Sequence, residues 1–288
     1  MIKTANINDE IVDLTKELTL IDNVNLPFTS LLLKKGVQKV GSVIVDWKYE
    51  NLDNSRGTAL EGADITAFQT SNRSTGDHNI CQIIQKAVSV SGTASAVTLE
   101  SIDDLFAHEI SNRALEAKRD LEYYLINGIY TEEAGTTPRQ MKGLVSFADA
   151  TKVTGAAVGT SILNGMAKEM KQHGTASQNL LLLCDYNTFD AVSGLYEDKT
   201  SYIGVTNEFG SPVKRINLNY ASADVYLVDA MPVDTCMLVN MNYLKLAQLR
   251  PLHYEELAKT GDSRKGFVVM ENTLKVTNPF AVKMFTKA

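Results

Sequence analysis

Three cysteines and four histidines in 288 residues leave few side chains for a metal site, and those few are dispersed. Cys81, Cys184 and Cys236 lie far apart with no Cys-x-x-Cys, and His78, His108, His173 and His253 stand singly. Metal sites need such groups at ligand spacing, so no metal and no cofactor is expected. An odd cysteine count within apolar or strand-like runs predicts buried, reduced thiols rather than a disulfide framework. Long hydrophobic runs are also missing. Leu180–Cys184 is among the longest, far below the roughly 20 residues that cross a bilayer, so no membrane partner is expected. The start, Met1-Ile-Lys-Thr-Ala-Asn6, lacks the basic and apolar regions of a signal peptide, which predicts synthesis in a cytosol. Positive charge is in deficit: 28 Lys and Arg against 34 Asp and Glu give a net charge of −6. That argues against a dedicated nucleic-acid reader, while leaving weak contact through a local patch.

Catalytic signatures are absent as well. The chain has no Gly-x-x-x-x-Gly-Lys-[Ser/Thr], no Gly-x-Gly-x-x-Gly opening a helix and no Gly-x-Ser-x-Gly elbow. Cys184, between Leu183 and Asp185, reads as a core cysteine more than a reactive thiol. Asp103/Asp104 and Glu132/Glu133 read as helix capping and a solvated helix exit rather than paired catalytic carboxylates.

What the chain does have is a long polar ribbon between Gly41 and Gly92. Val43, Val45, Trp47 and Tyr49 alternate with Ile44, Asp46 and Lys48, the period of a half-buried strand. A second strand-like run, Ile80–Ser91, closes the segment. Between them lie about thirty residues with Gly57, Gly62 and Gly76 and few large apolar side chains: Leu52, Leu60, Ile65 and Phe68. An isolated two-stranded ribbon is marginal in water, so this one is expected to lie against something outside its own domain. Assembly, rather than catalysis, is the indicated role.

The clearest helix spans Ile102 to about Asn127. Ser101 and Asp104 give its start signal, and Asn127-Gly128 its stop. Ile102, Leu105, Phe106, Ile110, Ala114, Ala117, Leu121 and Leu125 form one apolar face. Arg113, Lys118 and Arg119 alternate with Glu116, Asp120 and Glu122, a salt-laced solvent face. Before the ribbon, residues 1–40 read as an arm with a short helix near Asn8–Leu18 and an anchor that starts at Pro27. After the helix, 131–161 is rich in Gly, Thr and Ala. Helices at Ile162–Gln172 and Tyr186–Tyr196 follow, with strands at Asn179–Cys184, Asp224–Asp229 and Cys236–Val239. Strands at Lys265–Glu271, Thr273–Val276 and Phe280–Met284 close the chain. The pattern is α+β.

This order resembles the Hong Kong 97-type fold of tailed-bacteriophage major capsid proteins, and the local sequence resembles the family typified by the podovirus SU-ten. The resemblance rests on Pro27-Phe-Thr-Ser-Leu-Leu-Leu33, Glu61-Gly-Ala-Asp-Ile-Thr66, Lys86-Ala-Val-Ser-Val-Ser-Gly-Thr-Ala94 and Arg113-Ala-Leu-Glu-Ala-Lys-Arg-Asp-Leu-Glu122. Gly143-Leu144, Gly261-Asp-Ser-Arg-Lys-Gly266 and Thr273-Leu-Lys-Val-Thr-Asn-Pro-Phe-Ala281 extend it. It covers residues 24–145 and 254–282 well and 150–250 weakly. It implies an N-terminal arm (1–40), an extended loop or E-loop (41–92), a peripheral domain with the spine helix (93–136), an axial domain (137–251) and a return to the peripheral domain (252–288). It implies no catalytic residue and no enzyme activity.

Its implied partners are other copies of the chain, as hexamers and pentamers in an icosahedral shell. Portal, scaffold and decoration proteins follow, the scaffold as a separate protein. Packaged double-stranded DNA would be touched weakly and non-specifically, in a virion assembled in the bacterial cytoplasm. Inter-subunit contacts are expected from Pro27, Phe28, Trp47, Tyr49, Arg56, Glu61, Asp64 and Phe68. Two other readings stand beside this one: an encapsulin-type nanocompartment shell, and a cytosolic α+β enzyme with an unrecognised site.

Overall fold

In the computed structural model, the described residues are 25–50, 75–97, 104–176, 180–197, 215–259 and 261–288, with 52, 56–65, 68, 71 and 102. They divide into two compact units. One holds 85–117 and 252–269; the other holds 25–84, 118–251 and 270–288.

In chain order the helices are α1 (Pro27–Lys35), α2 (Gly92–Ala96), α3 (Leu105–Asn127), α4 (Leu144–Ala148), α5 (Thr160–Gln172) and α6 (Tyr186–Glu197). The first strands are β1 (Val37–Lys39), β2 (Ile44–Lys48), β3 (Gly76–Ile80), β4 (Gln82–Ser91), β5 (Val153–Gly155) and β6 (Leu180–Cys184). The rest are β7 (Arg215–Asn217), β8 (Ser222–Leu227), β9 (Thr235–Asn240), β10 (Leu244–Glu256), β11 (Ser263–Val276) and β12 (Val282–Lys287).

The larger unit is built on a six-stranded mixed sheet of order β5-β12-β9-β6-β8-β7. Its central strands β6 and β9 are antiparallel and buried along their whole length, which is why Leu180–Cys184 reads as an unbroken apolar run. Leu163, Met166, Ala167 and Met170 recur at three- and four-residue spacing on α5 and share one core with Leu180, Leu182, Leu238 and Phe285. Asp185 starts α6: its carboxylate accepts the Thr188 N–H at 3.0 Å and the Asp234 N–H at 2.9 Å.

A second sheet has the order β1-β10-β11-β4. In the smaller unit Val88 and Val90 of β4 pack with Phe106, and the Arg264 guanidinium sits 4.3 Å above the Phe106 ring.

The expected long helix is present, starting at Leu105 rather than Ile102. Its cap is Asp104, whose Oδ1 accepts the N–H groups of Phe106 and Ala107 at 3.0 and 3.2 Å, so an Asx side chain next to the first turn does the work. Ser101 and the expected helix at 8–18 lie outside the described residues. The stop falls where expected, and glycine is required there. A Cβ on Gly128 would lie 2.3 Å from the Met141 carbonyl oxygen, and one on Gly143 would lie 2.6 Å from the Gly128 nitrogen.

Three strand expectations change. Ile44–Lys48 pairs with Gly76–Ile80, and the apolar run that follows joins β11 instead, since alternating Gln82, Ile84, Val88 and Val90 are buried. The tail strands expected at 265–271 and 273–276 are one strand, because Asn272 is buried within the sheet instead of turning out to solvent. Strand β10 was not expected.

Candidate assembly surface

The hairpin β2–β3 has a fixed base. Its antiparallel register runs from Ile44 opposite Ile80 to Lys48 opposite Gly76. Val45 and Trp47 turn inward to a small core with Cys81 and Ala247, flanked by Phe147 and Leu249. Polar groups reinforce it. The buried Asn79 amide donates to the carbonyls of Lys142 and Leu274 at 2.9 and 2.7 Å, and its oxygen accepts the Lys142 N–H at 2.8 Å. The Gln82 side-chain oxygen accepts the Met141 N–H at 3.2 Å. Arg139 donates from Nε to the Cys81 carbonyl at 2.7 Å and from its fork to Glu271 at 3.2 Å. Arg250 Nε reaches the other Glu271 oxygen at 2.8 Å. The Lys142 ammonium pairs with Asp77 at 3.1 Å and lies 4.3 Å above the Phe147 ring.

Beyond Tyr49 this pattern stops. Leu52, Leu60, Ile65 and Phe68 are 83%, 85%, 77% and 82% exposed. The Ala63 N–H donates to the Leu60 carbonyl at 3.1 Å, closing a turn with Gly62 at φ 78°, where a type II turn calls for glycine. The chain's own fold therefore leaves these four large apolar side chains uncovered.

Helix α1 is anchored differently. Pro27 occupies the first turn, and the N–H groups of Phe28 and Thr29 donate to the buried Glu122 carboxylate at 3.0 and 2.6 Å. Burial pushes the Glu122 carboxyl above its ordinary range, with the Asp229 charge in the same direction and the α1 hydrogen bonds opposing.

Of the eight residues expected at subunit contacts, Arg56, Glu61, Asp64 and Phe68 are exposed, and Pro27 and Tyr49 are half-buried. Phe28 and Trp47 are buried inside the chain's own fold. Trp47 Nε1 donates to the Tyr49 hydroxyl at 3.0 Å, and Phe147 lies beside the indole. Asn79, Gln82, Arg139 and Glu271, which fix the base, were missed from sequence; each is an ordinary polar residue with no motif around it.

The smaller unit carries a groove of about 490 Å³ lined by Ala87–Ser91, Ala94, Leu105, Glu109 and Arg113. Ser91, Glu109 and Arg113 are already in structural use. Ser91 Oγ accepts the Ala94 N–H at 3.2 Å, and Arg113 pairs with Glu109 at 3.1 Å. Among the described residues, no three or more His, Cys, Asp or Glu gather as metal ligands, and no helix is long and apolar enough to cross a membrane.

The model of the SU10 major capsid protein family matches residues 2–288. The chain belongs to that family. It is a major capsid protein of a tailed phage, a component of the virion shell. No curated protein matches it at the sequence level. Among solved structures, the capsid asymmetric unit of Cyanophage A-1(L) is similar with a TM-score of 0.74 and 13% identity, over 99% of this chain and 98% of that one. A protein of Mycobacterium phage Che8 gives 0.68 and 13%, over 97% and 98%. These likenesses establish the Hong Kong 97-type α+β fold. The holo-SrpI encapsulin complex of Synechococcus elongatus PCC 7942 shares it at 0.59 and 12%, over 91% and 90%. The fold alone therefore does not separate phage shell from nanocompartment; the family match does. Self-association into a shell follows from membership in a capsid family.

Proposed function

We propose that the loop between β2 and β3 is the extended loop of this capsid subunit and docks on a second copy through Leu52, Leu60, Ile65 and Phe68. The observation that carries this is the contrast within one hairpin: a base fixed by buried polar bonds and a tip with four exposed apolar side chains. Arg56, Glu61 and Asp64 on the same loop supply charge that sets register more than affinity. Pro27 and Tyr49 border the contact, while Phe28 and Trp47 act from within, holding α1 and the hairpin base in place. Each contact is weak, and closure of the shell engages many at once.

On the same reading, 1–40 is the N-terminal arm, 41–92 the extended loop, 93–136 with 252–288 the peripheral domain and 137–251 the axial domain. The subunit works as a structural element and not as an enzyme; membership in a capsid family supports this. Its further partners are a portal, a separate scaffold, decoration proteins and packaged double-stranded DNA held by weak non-specific contact, with assembly in the host cytoplasm.

Deleting residues 52–66 tests the loop. Negative-stain electron microscopy of the purified variant should show no shells, rings or tubes, while light scattering reports a monomer and circular dichroism a cooperatively melting fold. Shells that still close would remove the loop from the interface.

A further inference from the structure

We propose that Cys184 and Cys236 are a latent dithiol that closes into a cross-strand disulfide when the subunit meets a small-molecule disulfide. The two residues stand directly opposite on β6 and β9, the central antiparallel pair of the six-stranded sheet. The Asp185 N–H donates to the Thr235 carbonyl at 3.3 Å, which makes 185 and 235 a hydrogen-bonded pair. Alternation along the ladder then makes 184 and 236 a non-hydrogen-bonded pair, the kind that brings Cα atoms to about 4.5 Å and side chains closest. That separation falls inside the window of roughly 4.4–6.8 Å that a disulfide tolerates. Both side chains lie on the same face, in one core with Leu182 and Leu238, so no strand needs to rotate. The third cysteine, Cys81, is buried in a different cluster with Val45, Trp47 and Ala247.

In the reduced protein the pair is protected. All three cysteines are free and buried. Burial pushes the Cys236 thiol up to about 12, with the Asp185 charge adding to it, and pushes Cys184 in the same direction, with Cys236 itself as the next contributor. Thiolate is the reacting form, so exchange waits for β6 and β9 to open locally. One cysteine thiolate then attacks a sulfur of oxidised glutathione, breaking its S–S bond, forming a mixed disulfide and releasing one glutathione thiolate. The second cysteine thiolate attacks the protein-side sulfur and releases the other. Two protons leave the protein, one S–S bond forms across the strands, and one glutathione disulfide is reduced to two thiols. A particle built where thiols stay reduced and released where they oxidise would pass through this change once.

The test uses the full-length subunit with oxidised glutathione across a urea series, followed by alkylation and peptide mapping. The expected product is a 184–236 cross-link about 2 Da lighter than the two reduced peptides. Below the unfolding midpoint it should exceed the 81–184 and 81–236 pairings by roughly tenfold, whereas in the fully unfolded chain all three compete. C184S and C236S should each leave the remaining partner as a glutathione adduct, and the cross-linked protein should melt above the reduced one. A 184–236 fraction that never exceeds its value in the unfolded chain, or separate glutathione adducts at both positions in the wild-type protein, would overturn the proposal.

Discussion

The base and the tip of the β2–β3 hairpin are a few residues apart in sequence and opposite in physics. At the base, the polar side chains of Asn79 and Arg139 find partners far along the chain: Asn79 reaches Leu274, 195 residues away, and Arg139 reaches Glu271, 132 residues away. At the tip, Leu52, Leu60, Ile65 and Phe68 face solvent, and the described backbone closes one local turn. A buried polar group without a partner costs free energy, so the base is specified by the fold of its own chain. An exposed apolar group gains nothing from that fold. What it can gain comes from another surface, so stability and assembly are separable within one hairpin.

The largest effect should come from the base. Glu271→Ala removes the carboxylate that Arg139 and Arg250 share, leaving the largely covered Arg139 guanidinium with only the Cys81 carbonyl and the mostly exposed Glu133. Losing a buried ion-pair member is worth about 3 kcal/mol, and the expected outcome is a loss of that order in urea unfolding. An unchanged midpoint would mean that the Glu271 ion pairs do not hold the base. The comparison between base and tip would then rest on the Asn79, Gln82 and Lys142 bonds.

That network was invisible in the sequence for a physical reason: its partners come together only after β4, β11 and the 139–143 segment have folded. Alternation from Val43 to Tyr49 was legible because one face of β2 is buried, and α3 was legible because its apolar residues keep helical spacing over many turns. The partner of β2, Gly76-Asp-His-Asn-Ile80, has no strand signature of its own; pairing with β2 and the bonds of Asn79 extend it. Likewise β10 carries Lys245, Gln248, Arg250, Pro251, His253 and two glutamates, and it becomes a strand through its neighbours β1 and β11. For the candidate surface, the glycines and sparse apolar residues of 52–68 were a readable sign of a loop that does not serve its own core. That Phe28 and Trp47 turn inward was not readable, since an aromatic residue suits a core and an interface equally well.

A smaller, pH-dependent effect separates the six-stranded sheet from the hairpin. Burial pushes the Asp185 carboxyl up, but hydrogen bonds from Thr188, Asp234 and Asn187 outweigh it and hold the group below its ordinary value. A carboxyl depressed by folding contributes stability above its unfolded pKa and loses it as pH falls through the folded value. Asp185→Ala removes the cap of α6 and should cost about 2 kcal/mol at neutral pH. Its deficit should shrink as pH drops below the ordinary carboxylate range, as followed by thermal melts between neutral and strongly acidic buffer. Glu122 should behave in the opposite sense. Its carboxyl is raised, so the stability it contributes is present below the ordinary glutamate value and is lost as pH rises through the folded value. A deficit for Asp185→Ala that is flat with pH would show that the cap is worth its geometry and not its charge.

The smallest effect on stability, and the most informative, belongs to the tip. Phe68→Ser and Leu60→Ser change side chains that are more than four-fifths exposed, so unfolding midpoints should move by less than about 0.5 kcal/mol. On the docking proposed above, the same substitutions should raise the concentration at which shells appear, because each would remove apolar area from a contact repeated around the particle, and small losses multiply across it. Light scattering against subunit concentration reads this directly, with Glu271→Ala as the contrasting variant: destabilised as a monomer, yet with an intact tip. If the tip variants lost stability while assembling at the wild-type concentration, the loop would be folding back on its own chain. The exposed apolar side chains would then need a different explanation from a neighbouring subunit.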